Sequence, residues 1–176
     1  KGAQSVQDIA DDPAIDFVIV TTPPNARAEV VHPLAAAGKP ILMEKPVERS
    51  LPAATALVAH CEAAGVPLGI VLQHRARPIL ADPRQEMQTP GPLRMAEVNV
   101  PWWRPQSYYD APGRGTYARD GGGVLINQAI HTLDLMLTLT GPVAEVSAML
   151  ATTDLHWIEA EDFTCAGLRF ASGAVG

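Results

Sequence analysis

The sequence predicts an α/β chain in which the C-terminal half of a doubly wound parallel sheet is followed by part of an α+β domain with a mostly antiparallel sheet. Three features carry that expectation. Up to Leu72, short aliphatic or β-branched runs alternate with helix-forming stretches across short links, the pattern of right-handed parallel strand–helix–strand units. After Gln73-His74-Arg75 this alternation gives way to a stretch punctuated by Pro78, Pro83, Pro90 and Pro92. Beyond it, a long apolar helix-forming segment precedes two strand-like runs, Val143 to Leu150 and Phe163 to Phe170. The expected division is 1–75 and 76–176, with the boundary between Leu72 and Gly91.

Asp16-Phe17-Val18-Ile19-Val20-Thr21-Thr22 is a β-branched run of the kind buried on both faces of a parallel sheet, and Pro23-Pro24-Asn25 stops it. A helix is expected from Ala26 to Ala37, with Val30, Val31 and Leu34 on one stripe and Gly38 as its left-handed terminator. The strand Ile41 to Glu44 follows. Ser50 is placed to cap a helix over Ala53 to Ala64, with Pro52 in its first turn and Gly65 at its end. Pro67 to Leu72 is a third short strand. A short helix around Ile79 to Met87 and a strand from Leu93 to Val100 come next, then the aromatic loop Pro101-Trp102-Trp103-Arg104-Pro105-Gln106-Ser107-Tyr108-Tyr109. Gly121-Gly122-Gly123 leads into a helix over Val124 to Thr140, closed by Gly141-Pro142. Ala171-Ser172-Gly173 reads as a hairpin turn. A strand that enters a hairpin and ceases, and an opening without the first strand of a doubly wound unit, give the expectation that the chain is the middle of something longer.

Composition narrows the partners. Of 176 residues, 18% are charged and 47% hydrophobic, which is globular composition, and no apolar run approaches a membrane span. A net charge of −6 without a Lys or Arg run argues against nucleic acid, whose backbone requires concentrated positive charge. Cys61 and Cys165 lack metal-ligand spacing, and no secretory signal opens the chain, so reduced thiols and a cytoplasmic location are expected.

Ile41-Leu42-Met43-Glu44-Lys45-Pro46 delivers Glu44 and Lys45 at a strand end, where open parallel sheets present groups to ligands. Pro46 restricts the backbone of Lys45. The bland alternative is an exposed lysine beside a turn. On the Val124 to Thr140 helix, Asn127, His131 and Asp134 fall on one face of an otherwise apolar segment. Such a stripe requires either a cavity or local partners, since an unpaired buried polar group costs roughly 1–3 kcal/mol. One preferred zinc ligand in the stripe does not make a zinc site. Gly121 to Gly123 lacks the spacing of a phosphate loop, and a tight turn explains it better. Trp102, Trp103, Arg104, Tyr108, Tyr109 and Arg114 suit either the faces and acidic groups of a sugar or an interface. Gln73, His74 and Arg75 suit a cleft or a hinge, and His32, His60 and His156 sit in no motif.

Asp12-Pro13-Ala14-Ile15-Asp16, Thr22-Pro23-Pro24-Asn25, Ala36-Ala37-Gly38-Lys39-Pro40, Glu44-Lys45-Pro46 and Gly122-Gly123-Val124-Leu125-Ile126-Asn127-Gln128-Ala129-Ile130-His131-Thr132-Leu133-Asp134 occur in the order seen in the Gfo/Idh/MocA oxidoreductases. The chain resembles that family over essentially its whole length. The resemblance implies a Rossmann domain followed by an α/β domain whose open, mostly antiparallel sheet mediates homo-oligomerisation. It implies hydride transfer between NAD or NADP and a sugar, polyol or related alcohol or ketone. By position, Lys45 matches the family's catalytic lysine and His131 its catalytic histidine, while Asn127 stands where many members have aspartate. Thr22, Pro23, Asn25, Glu44 and Lys45 fall where the family contacts the dinucleotide. Arg104, Tyr108, Arg114, Asn127 and His131 are the expected substrate contacts.

Oxidising a secondary alcohol requires a group titrating near neutrality to take the hydroxyl proton, which suits His131, and a cation to stabilise the developing alkoxide, which suits Lys45. The two are expected on opposite walls of a shared crevice. Arg27 replaces a histidine frequent in the family. The Gly-rich phosphate loop and the residue that selects NAD from NADP correspond to sequence outside this chain, so the chain by itself is expected to bind dinucleotide weakly or not at all. The segment Asn127 to His131 is more similar to the sugar and nucleotide-sugar branch than to the inositol branch. The competing expectation is a binding or assembly module that keeps the fold without the chemistry.

Overall fold

The computed structural model describes residues 2–78 and 91–176, so the expected helix around Ile79 to Met87 lies outside the described residues. The chain divides into two compact units, Lys1–Val71 with Tyr117–Gly121, and Leu72–Thr116 with Gly122–Gly176.

The first unit opens with α1 (Val6–Asp11), which the sequence reading missed although its signal was local. Ser5 accepts from the Asp8 N–H, and the Asp8 carboxylate accepts from the Ser5 N–H, a reciprocal cap that satisfies two orphan donors. Strands β1 (Val18–Val20), β2 (Ile41–Glu44) and β3 (Leu68–Val71) form a parallel sheet in that order, with Val18 beside Ile41 and Ile41 beside Leu68. Between them lie a 3-10 turn (Pro24–Ala26), α2 (Arg27–Ala36) and α3 (Leu51–Ala63). The Ser50 hydroxyl accepts from the Ala53 N–H at the start of α3, and Gly38 and Gly65 follow α2 and α3 in the left-handed conformation that glycine takes without strain.

One layer covers this sheet. Val20, Ile41 and Met43 pack with Val31, Leu34, Leu57 and Cys61 into a dry core, whereas their alternate neighbours Ile19 and Leu42 are exposed. Strand side chains alternate between faces, so the expected burial on both faces is corrected to burial on one among the described residues. Tyr117–Asp120, a single helical turn here called α5, rejoins this unit, with the Ala118 carbonyl accepting from Arg49 Nη1 at 2.7 Å.

The second unit begins with the 3-10 turn Gln73–Ala76, followed after the undescribed stretch by the one-turn α4 (Gln106–Tyr109). Its principal helix is not uniform. Leu125–Ala129 is wound as a π-helix and only Ile130–Thr140, α6, is α-helical. Strands β4 (Val143–Ala151) and β5 (Phe163–Phe170) pair antiparallel, with a register shift between Val143 and Glu145. Met136, Phe170 and Ala174 form the core, flanked by Leu133, Val143 and Leu168.

The expected strand from Leu93 to Val100 is not formed. Its pairing among the described residues is an isolated bridge from Met95 to Val175, and Val175 in turn bridges Arg169 of β5 after the Ala171-Ser172-Gly173 turn. A single bridge cannot propagate a ladder. No helix of the described residues is long and apolar enough to cross a membrane.

Candidate active site

In the first unit the candidate residues gather at the carboxyl ends of β1 and β2. Thr22, Pro23 and Asn25 follow β1 and run into the 3-10 turn, while Glu44 closes β2 and Lys45 succeeds it before a cis peptide bond to Pro46. The device that joins these two ends is Arg27. It is 1% exposed, among the most deeply buried side chains. Its Nε and Nη2 both donate to the Thr22 carbonyl at 3.2 Å, and Nη2 also donates to the Lys45 carbonyl at 3.3 Å. Burial pulls the Arg27 pKa below its ordinary value, a shift that the charges of Glu44 and Glu48 partly oppose. The guanidinium thus clamps the backbone beneath Lys45 without using its side chain. Thr22 Oγ1 is buried without a hydrogen-bond partner among the described residues, which leaves a polar group at the strand end for a ligand to satisfy.

In the second unit the π-helical turn decides where the polar stripe goes. Wider winding shifts the residues before Ile130 relative to those after it. Asn127 Nδ2 donates to the Gly122 and Gly123 carbonyls at 3.0 Å each. His131 is 5% exposed, and its ring stacks on that of His74 with centroids 5.5 Å apart and planes 19° apart. One turn on, Asp134 accepts from Arg75 through both carboxylate oxygens, Nε at 2.7 Å and Nη2 at 2.5 Å. That pairing pushes the Arg75 pKa up. The turn Gln73–Ala76 therefore packs its basic side chains against the His131 face of α6. Asn127 thus precedes the change of winding and bonds back to the glycine run, while His131 and Asp134 follow it and both meet the Gln73–Ala76 turn.

The glycine run is a close approach rather than an anion cradle. The Glu161 carboxylate accepts from the Gly123 N–H at 2.9 Å and the Leu125 N–H at 3.2 Å, and the Glu161 carbonyl accepts from the Val124 N–H at 2.9 Å. A Cβ on Gly123 would lie 1.7 Å from that carbonyl oxygen. The start of the helix is already filled by the chain's own carboxylate. Glu161 was not found from sequence, since no fixed spacing links a cap supplied 38 residues later.

The aromatic loop is organised by charge. The Arg104 guanidinium lies 4.4 Å from the Trp102 ring and 5.0 Å from that of Tyr108, while Arg114 lies 4.2 Å from Tyr108. His156, which sits in no motif, anchors the loop. Its Nδ1 meets Asp162 Oδ2 at 2.9 Å and its Nε2 meets the Arg104 carbonyl at 2.8 Å, between the rings of Trp103 and Tyr109. Both ring nitrogens face acceptors, which favours the doubly protonated ring. Burial pulls the His156 pKa down, but the Asp162 and Arg104 bonds and the Asp162 charge outweigh it, for a net rise. Asp162 is raised by burial and lowered further by His156 and Thr153, ending below its ordinary value. Among the described residues no group of three His, Cys, Asp or Glu side chains forms a metal site, and Cys61 and Cys165 are unpaired.

Residues 1–71 match the model of the oxidoreductase family with an NAD-binding Rossmann fold, and residues 86–176 match that of the GFO/IDH/MocA C-terminal domain. The chain belongs to the Gfo/Idh/MocA family. A D-apiose dehydrogenase of Paraburkholderia graminis is 32% identical to it over 165 residues, 90% of this chain and 42% of that one. The 1,5-anhydro-D-fructose reductase of Ensifer adhaerens is 28% identical over 99% of this chain and 53% of its own length. Among solved structures, the WlbA dehydrogenase of Bordetella pertussis in complex with NADH and UDP-GlcNAcA superposes with a TM-score of 0.91 at 36% identity, covering 100% of this chain and 53% of that one. The chain thus spans about half the length of these Gfo/Idh/MocA relatives.

Proposed function

We propose that the protein is an NAD- or NADP-dependent oxidoreductase that moves a hydride between the nicotinamide and a sugar, polyol or sugar-derivative alcohol or ketone. The observation that carries this reading is Lys45 at the carboxyl end of the middle strand of a parallel sheet, in a chain of this family. When bound, the nicotinamide accepts or delivers the hydride.

The remaining chemistry belongs to the side chains. His131 takes the hydroxyl proton during oxidation and returns it during reduction. The Lys45 ammonium stabilises negative charge developing on the same oxygen. Asn127, which carries no charge, holds a substrate hydroxyl or the imidazole. Thr22, Pro23, Asn25 and Glu44 hold the dinucleotide edge, a fit supported by the unsatisfied Thr22 hydroxyl. Arg104, Tyr108 and Arg114 contact the substrate. Sugar-type ligands are favoured by the relatives, which include enzymes of apiose and anhydrofructose and a structure holding a nucleotide sugar. The two unpaired cysteines support a cytoplasmic location. Exposed Val146, Met149 and Leu150 on β4 support homo-oligomerisation through that sheet.

The test is a screen of sugars, polyols and uronic acids against the full-length protein, following reduced-nicotinamide absorbance. Turnover lost in Lys45→Ala supports the assignment, and no turnover with any of these classes would count against it.

A further inference from the structure

Arg104 and Arg114 bring two positive charges to one aromatic ring. The chain holds 19 acidic residues against 13 lysines and arginines. Arg49, Arg75, Arg119 and Arg169 each pair with a carboxylate. Neither Arg104 nor Arg114 meets one among the described residues, although both guanidinium groups lie within 5.0 Å of the single ring of Tyr108. Two like charges on one small ring repel, and no carboxylate among the described residues offsets them. Stacking engages the faces of a guanidinium and leaves N–H groups in its plane for an oxyanion; of these, Arg114 Nη1 also donates to the Tyr108 carbonyl at 3.4 Å. Arg104 Nε is buried with no hydrogen-bond partner among the described residues.

The support for this cluster is fixed in advance. The Arg104 carbonyl is held by His156, the Gln106 side chain accepts from the Trp157 N–H at 2.9 Å, and the Arg114 N–H donates to the Ala111 carbonyl at 3.0 Å. Beside it, Trp102 and Trp103 are 51% and 62% exposed, and indole faces suit the C–H face of a pyranose.

We infer that Arg104 and Arg114, mounted on Tyr108, form an oxyanion subsite for a carboxylate or phosphate, and that the substrate is therefore an acidic sugar derivative. That the bound acidic sugar is a substrate rests on the oxidoreductase reading above; the oxyanion subsite does not.

Tryptophan fluorescence of the full-length protein, titrated with glucuronate, glucose 6-phosphate and glucose, tests it. At least one charged sugar is expected to bind about tenfold or more tighter than glucose, as hydrogen bonds to a charged group would give. Which one does so separates a carboxylate from a phosphate. In Arg104→Gln and in Arg114→Gln the charged-to-neutral ratio falls towards one, and Arg114→Lys restores part of it. If either variant fails to fold, the other carries the comparison. Equal affinities in the wild type, no response to any of the three sugars, or a preference that survives both substitutions overturns the subsite. Charge-selective binding without nicotinamide turnover would sink the oxidoreductase reading and leave the subsite standing. Turnover of neutral sugars without charge preference would do the reverse.

Discussion

Arg27 is where one residue governs the most structure. Replacing it with Met leaves the Thr22 and Lys45 carbonyls without their donor. The expected cost is about 2–4 kcal/mol, read as a lower denaturant midpoint at unchanged slope, because buried acceptors lose a charged donor. A midpoint equal to that of the wild type would show that the clamp contributes nothing. The sequence marked Arg27 as a departure from the family's histidine, yet gave no sign of its burial, since arginine is ordinarily exposed unless paired. Lys45 was legible from its strand-end position and the flanking Glu44 and Pro46. Asn127 and His131 were legible as polar groups on an apolar helix, but the bond from Asn127 back to Gly122 and Gly123 was not, because it depends on a local change of winding.

At the scale of elements, helix ends carried most of the readable information. Ser50, Gly38 and Gly65 lie where capping and left-handed termination require them, and the boundaries of α2 and α3 follow within a few residues. The helix before β4 was misread as uniform because π winding has no compositional mark. Its entry depends on Glu161, so Glu161→Ala should lower stability by about 2 kcal/mol in a thermal melt, from lost capping bonds at Gly123 and Leu125. An unchanged melting temperature would refute that role.

The clasp of His156 and Asp162 predicts a pH window. The raised His156 pKa gives a contribution present at low pH and lost as pH rises through the folded-state value, above the ordinary histidine range. The lowered Asp162 pKa gives one present above the ordinary carboxylate range and lost as pH falls through its folded-state value. The stability difference between wild type and His156→Gln should therefore be largest between those two limits and shrink on the alkaline side. A difference independent of pH would contradict the charged clasp. No spacing rule joins His156 to Asp162 or to the Arg104 carbonyl, and only folding makes the pair visible.

At the scale of the molecule, the order of motifs carried the family and the two sheet types. The return of Tyr117–Gly121 to the first unit was not legible, because it rests on long-range contacts such as that of Arg49 with Ala118. The exposed residues Val146 and Met149, 63% and 58% accessible, predict an assembly through β4 and β5. Val146→Glu and Met149→Glu, on opposite faces of the strand, test the two sides of the sheet separately: the one that covers the interface should reduce the particle mass seen by light scattering, and an unchanged mass in both would exclude assembly through this sheet. The proposed function stands on hydride transfer assisted by the Lys45 ammonium. Its most direct measurement is turnover of the full-length protein on its best sugar, wild type against Lys45→Ala, with folding checked by circular dichroism. The expected result is a loss of about a hundredfold or more in a folded variant, the scale of removing one group that stabilises transition-state charge; a folded Lys45→Ala protein that turns over at the wild-type rate would contradict it.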